Sequence, residues 1–308
     1  MTGTAEAPYA ESVPTTGQLD RFGTGQGFVA ALDQSGGSTP RMLAAYGIEP
    51  SAYSNDIEMF DLVHAMRVRI MTSPRFDSAR VLGTILFQDT LDRTVEGKET
   101  AQYLWREKGI VPILKVDKGL EPEADGAQVM KPMPGLDAVL ESAIAVEVFG
   151  TKMRSFIKDA NPVGIDAVVA QNFQLAGHIL ATGLVPILEP EIDIHSPRKA
   201  QAEQLLRAGL LDHLDDLDPH HQVIIKLSLP DEADFYSDLV HHPRVLRVLA
   251  LSGGYDRKEA VELLARNHGV IASFSRAFLE GLSVNQSPAD FDATLDQSIE
   301  AIYQASLT

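Results

Sequence analysis

Apolar and polar residues along the chain fall into two alternating rhythms: short β-branched or apolar runs, and longer stretches with apolar positions at helical spacing. Eight runs read as strands, over residues 27–33, 81–88, 111–116, 146–154, 184–191, 222–229, 245–252 and 270–276. Helical periodicity covers 56–71, 98–108, 136–145, 165–182, 198–214, 232–240 and 258–267, and a last helix covers 290–305. Repeated strand–helix units in this number predict an α/β fold, a closed parallel (β/α)8 TIM barrel forming a single domain over residues 1–308. Local signals support the segmentation. Asp231-Glu232 and Asp256-Arg257 place an acid where a helix would open, and Gly269 closes the helix before the last strand. The stretch 119–135, rich in Gly, Pro and charge, reads as a loop, and the arm over about 1–17 as irregular.

The strands depart from the continuous apolar runs expected of a buried parallel sheet. Six carry ionisable residues at or near their C-terminal ends: Asp33; Lys115; Lys152 and Arg154; Glu189 and Glu191; Lys226; and Arg276. Strand alternation puts Ile187, Glu189 and Glu191 on one face, and likewise Ile224, Lys226 and Ser228. A lysine near a strand end ordinarily reaches solvent, as Lys115 alone would. Lys226 is different, because two isoleucines precede it and Leu227 and Leu229 bracket it. A buried ammonium must be paired, neutral or functional. In a barrel all these strand ends converge on one mouth, where active sites are built.

Composition narrows the chemistry. No apolar run approaches the length needed to cross a bilayer, and the first two dozen residues lack the features of a secretory signal. A cytoplasmic location is the default expectation, without a membrane partner. The formal net charge of -17 opposes a nucleic-acid-tracking surface, though cations gathered in one cleft could still bind a small anion. With no cysteine in the sequence, disulfides, thiolate metal sites and cysteine nucleophiles are excluded. A homo-oligomer is compatible with the sequence, which maps no interface.

A lysine crowded by other cations in a partly dry site becomes a nucleophile toward carbonyls. One carboxyl group could then expel water from the carbinolamine to give an iminium. A second could take the proton from a hydroxyl whose carbon–carbon bond breaks. Ser252, Gly253 and Gly254 end the seventh predicted strand just before a helix, where backbone N–H groups can approach a phosphate; Arg276 on the eighth would reinforce them. A second Gly-rich stretch, Gln34-Ser35-Gly36-Gly37-Ser38, could hold another phosphate opposite.

The segments ALDQSGGSTPR, LKVDKG, GTKMR, PILEPEI, IIKLSL, LSGG and SFSRA, in this order and spacing, resemble the class I fructose-bisphosphate aldolases, particularly their shorter bacterial branch. The resemblance implies reversible cleavage of fructose 1,6-bisphosphate to dihydroxyacetone phosphate and glyceraldehyde 3-phosphate, in glycolysis and gluconeogenesis. The intermediate would be a covalent Schiff base on Lys226, with no metal or other cofactor. It further implies Glu189 as the main acid/base of imine formation and Asp33 as the base for the C4 hydroxyl. Lys152 would assist carbinolamine chemistry, and Glu191 would help set the charge of its neighbours. Ser252, Gly253 and Arg276 would take one phosphate; Ser35, Ser38, Lys115 and Arg154 would lie near the other end of the open-chain sugar, with Arg41 a weaker candidate.

There are departures from longer, animal members. The chain ends IEAIYQASLT, so Tyr303 is not a terminal tyrosine; Met42 replaces an arginine, and Gln34 an acid. A zinc-dependent aldolase would need converging imidazoles. The nine histidines include the loop pairs His220-His221 and His241-His242 but no helical HxxxH or strand HxH pair. Another Schiff-base enzyme, such as a tagatose-bisphosphate aldolase, would use similar parts, although two phosphate regions favour a bisphosphate over a transaldolase substrate. A non-catalytic binding barrel would be expected to lose Lys226, Glu189 or Asp33, and all are present.

Overall fold

The computed structural model describes residues 16–308. Eight strands run parallel in one sheet: β1 (Phe28–Leu32), β2 (Val81–Leu86), β3 (Val111–Lys115), β4 (Gly150–Ile157), β5 (Val185–Ile192), β6 (Val223–Ser228), β7 (Val245–Leu251) and β8 (Val270–Ala272). Each pairs with the next in chain order, as successive β–helix–β crossovers require. The seam between β8 and β1 is bridged just beyond the short last strand, where Ala31 N–H donates to Phe274 O at 3.1 Å. This is the nearly closed (β/α)8 barrel that the alternating pattern predicts.

Two apolar layers follow from the two faces of the strands. Residues facing outward, such as Leu32, Leu114, Leu188 and Ile225, pack against the surrounding helices. Val29, Ala31, Ile113, Ile187, Ile224, Leu249 and Ile271 fill the barrel interior. The helix Thr16–Thr24 closes the base: Phe22 has no accessible surface and stacks on Phe149 with ring centroids 5.2 Å apart. Arg247 donates to the carbonyls of Phe22, Gly23 and Gly25, which fastens this plug to β7. The barrel therefore has a dry floor, and its polar residues crowd the opposite end. Among the described residues no helix is long and apolar enough to cross a membrane.

Most predicted elements sit within a few residues of their observed bounds, and the exceptions have local causes. β4 begins at Gly150 rather than 146, because Glu147 takes a left-handed turn (φ 64°) that ends the preceding helix. Gly150 itself lies so close to β5 that a Cβ would stand 2.1 Å from Val185 O. The predicted helix 98–108 instead opens with a small hairpin, Thr94–Val95 against Lys98–Glu99, which turns at Glu96 and Gly97, both at positive φ. The helix proper is confined to Thr100–Gln102 and a π turn at Tyr103–Glu107. Asp231 does not open a helix: it pairs with Lys199 at 2.7 Å, and the helix there is only Ser237–Val240. Asp256, by contrast, caps as expected, accepting from Glu259 N at 2.8 Å. β8 ends at Ala272, so Arg276 begins the short helix Arg276–Leu279 instead of finishing a strand. The loop 119–135 pairs its Ala127–Gln128 antiparallel with the far end of β4. Of the irregular arm, residues 16 and 17 are helical and the rest lies outside the described residues.

Truncating Phe22→Ala should remove the floor's keystone and leave a cavity beneath the site. A loss of about 3–5 kcal/mol in unfolding free energy is expected from denaturant titration; a loss below about 1 kcal/mol would show that the plug is dispensable.

Candidate active site

All thirteen residues selected from the sequence line one cavity of about 930 Å³ at the C-terminal mouth of the barrel. The strands put them there by alternation. β5 presents Ile187, then Glu189, then Glu191 inward; β6 presents Ile224, then Lys226. Neighbouring strands hold Lys115 level with Lys152 and Arg154 level with Glu189.

At the bottom of this cavity four charged groups form a continuous chain. Lys152 Nζ lies 2.6 Å from Asp33 Oδ2 and 2.7 Å from Glu189 Oε2. The other Glu189 oxygen, Oε1, is 2.8 Å from Lys226 Nζ. None of the four is more than 7% exposed. Burial pushes the Asp33 carboxyl up, but Lys152, then Lys226 and Lys115, outweigh it and hold the group well below the usual carboxylate range. Glu189 is lowered in the same way: burial raises it, and Lys152 and Lys226 prevail. For Lys152 the balance runs in the opposite direction, since burial lowers it while Asp33 and Glu189 drive it well above an ordinary lysine. The sequence led us to expect lysines crowded by other cations. The arrangement found has the lysines interleaved with carboxylates.

The same cavity is lined by the two groups of residues that the sequence reading selected for phosphate. On one side, Gly253 and Gly254 adopt positive φ, and N–H groups of Gly254 and Tyr255 turn back onto Ser252 O. Side chains are disfavoured at both positions: a Cβ on Gly253 would meet Ile194 at 2.6 Å, and Gly254 holds φ 132° with Ile194 3.3 Å from where a Cβ would stand. On the other side, Ser35 opens a 3-10 turn Gly36–Ser38, with Ser38 Oγ donating to Ser35 O at 3.0 Å. Arg41 lines the cavity beyond this turn. Lys115 and Arg154 complete the rim. Arg154 is ion-paired with Glu191 and stacks over Phe156, 5.0 Å from its ring centroid.

The structure adds residues that the sequence reading passed over. Asp117 is buried in the cavity wall, 2.7 Å from Lys115 Nζ, and also accepts from the backbone N–H of Gly119 and of Arg154. Its signal was available, since Ile113, Lys115 and Asp117 continue the inward alternation of β3 beyond the strand end. Ser273 lines the cavity with a buried hydroxyl that has no hydrogen-bond partner. Gln34, which the sequence reading placed in the Gly-rich stretch, donates to Ala31 O and to Ser275 Oγ. Among the described residues no three His, Asp or Glu side chains converge as metal ligands.

The sequence model of "Fructose-bisphosphate aldolase class-I" matches residues 22–218. The chain belongs to the class I fructose-bisphosphate aldolase family. Curated relatives extend the match past Lys226 and Arg276. The "Fructose-bisphosphate aldolase class 1" of Synechocystis sp. is 59% identical over 295 residues, covering 96% of this chain and 98% of the relative. Proteins of the same name from Porphyromonas gingivalis and Clostridium acetobutylicum are each 55% identical, covering 94% of this chain and 98% and 99% of theirs. The fold is shared with the fructose-bisphosphate aldolase from Plasmodium falciparum, at a TM-score of 0.73 and 19% identity over 97% of this chain and 98% of that one. As members of the class I family, such proteins act through a lysine Schiff base and not through a metal.

The depressed Asp33 and Glu189 carboxyls contribute stability that is full above their ordinary range and lost as pH falls, because the unfolded chain takes up protons that the folded one refuses. Lys152→Met removes the central cation, so both native carboxyls move upward. Thermal unfolding followed from pH 6 to pH 3 should show lower stability at pH 6 and a shallower acid loss than in the wild type. Parallel curves would show that Lys152 does not govern these groups.

Proposed function

We propose that this chain cleaves fructose 1,6-bisphosphate reversibly to dihydroxyacetone phosphate and glyceraldehyde 3-phosphate, with Lys226 forming the Schiff base. The observation that carries this reading is the unbroken buried chain Asp33–Lys152–Glu189–Lys226 between two anion-binding loops.

In this reading the buried carboxylates carry the protons. Glu189 Oε1, 2.8 Å from Lys226 Nζ, takes the proton that Lys226 must lose to attack the substrate carbonyl. The same carboxyl then protonates the carbinolamine hydroxyl, which leaves as water and yields the iminium. Asp33, kept ionised by Lys152, accepts the C4 hydroxyl proton. The C3–C4 bond breaks, its electron pair flows into the iminium to give the enamine, and the aldehyde leaves. Protonation of the enamine at carbon regenerates an iminium, and addition of water to that iminium releases the ketone and returns the Lys226 amine. Lys152 offsets negative charge on whichever of its two carboxylates carries it, and so couples the imine half of the reaction to the cleavage half.

Ser252, Gly253, Gly254 and Arg276 bind the phosphate at one end of the substrate. Ser35, Ser38, Lys115 and Arg154 bind near the other end, with Asp117 and Glu191 holding those two cations in place. The dry floor beneath Lys226 keeps bulk water away from the iminium.

A coupled assay of triose phosphate release from fructose 1,6-bisphosphate tests the reading. Lys226→Met should abolish turnover, and Glu189→Gln should lower kcat by about 10²–10⁴-fold. Incubation with EDTA should leave the wild-type rate unchanged. A rate lost to EDTA and restored by zinc, or full turnover by Lys226→Met, would refute the lysine mechanism.

A further inference from the structure

The helix Asp56–Thr72 turns one face toward the barrel, burying Met59, Val63, Met66, Ile70 and Met71. Arg67 lies in the same stripe with no accessible surface. A guanidinium among apolar side chains is costly unless it is well paired. Yet Arg67 makes no ion pair among the described residues, and its Nε has no hydrogen-bond partner. Its bonds are all to neutral oxygens. Nη1 donates to Thr90 Oγ1 at 2.6 Å, and Nη2 donates to Gln34 O at 2.7 Å and more distantly, at 3.4 Å, to Gln34 Oε1.

Arg67 does not line the cavity, and the reaction steps do not use it. What it holds is informative. The Gln34 carbonyl belongs to the peptide joining Asp33's neighbour to Ser35, the first residue of the anion-binding turn. The Gln34 side chain reaches across the barrel seam to Ser275, the residue before Arg276. One planar fork thus grips the point where the loop after β1 meets the loop after β8. A lysine could supply charge there but not two fixed, diverging donors. We infer that Arg67 is a positioning residue for substrate phosphate: its buried guanidinium fixes the Gln34 peptide, and with it the 35–38 turn. The inference rests on the aldolase reading of the cavity.

The test is steady-state cleavage of fructose 1,6-bisphosphate and fructose 1-phosphate by the whole chain, with thermal unfolding measured in parallel. Arg67→Met should raise KM for the bisphosphate about tenfold, the effect of losing a charged hydrogen-bond donor, with a much smaller change in kcat. Its preference for the bisphosphate over the monophosphate should fall. Arg67→Lys should recover part of both. Thr90→Val, which removes one anchor of the guanidinium at nearly constant volume, should raise KM about threefold in the same direction, and it decides the matter if Arg67→Met does not fold. Unchanged KM and unchanged preference in folded Arg67→Met, or in Thr90→Val where that variant alone folds, would overturn the inference whatever happened to the melting temperature. No cleavage by the wild type would instead sink the functional reading, and this inference with it.

Discussion

The contact on which the site depends is the ammonium of Lys152 shared between Asp33 and Glu189. Two acids and two lysines alternate along that chain, so the buried charges cancel, and each is within 2.8 Å of its neighbour. Removing one member would leave an uncompensated charge in a dry setting, at a cost of about 3–5 kcal/mol. The arrangement contributes little net stability compared with an apolar core. What it provides is a fixed charge state, with both carboxyls held below their ordinary range by the neighbouring lysines. In the proposed mechanism, a lysine with a carboxylate already 2.8 Å away needs no rearrangement before its first proton transfer.

The barrel makes that chain possible by separating dry from polar along its axis. Apolar side chains fill the interior from the Phe22 plug up to Ile187 and Ile224, and the next inward position on each of those strands is a charged one. Strands hold Lys152, Glu189 and Lys226, whose mutual distances must be kept, and the residues proposed to bind phosphate come from strand ends, loops and the start of a short helix around them. Those residues carry their own constraints. Gly253 and Gly254 are confined by Ile194 and Arg276, the 35–38 turn is anchored through Gln34, and Lys115 and Arg154 are tethered by Asp117 and Glu191.

Period-two alternation was enough to put Glu189 with Ile187 and Lys226 with Ile224 on one face of each strand, but their adjacency depends on the register that pairs Ile187 with Ile224, which only the structure shows. The apolar neighbours of Lys226 likewise marked it as buried. Features set by contacts distant in sequence were not legible. Asp231 carries the signature of a helix start, but Lys199 draws it away. Arg276 reads as the end of a strand, but the chain turns into a helix once Phe274 O has bonded across the seam. Asp117 lies one alternation step beyond its strand, in a segment whose loop-like composition hid the continuing pattern. Arg67 falls within the predicted helix 56–71 without any mark of its own, and only the packing of that helix shows that it faces inward.

The most direct test of the central claim is peptide mass spectrometry after borohydride reduction in the presence of dihydroxyacetone phosphate. The account predicts a stable reduced adduct on the peptide containing Lys226, absent from Lys226→Ala. Cleavage of fructose 1,6-bisphosphate with no trapped adduct, or an adduct on Lys152 in place of Lys226, would contradict it.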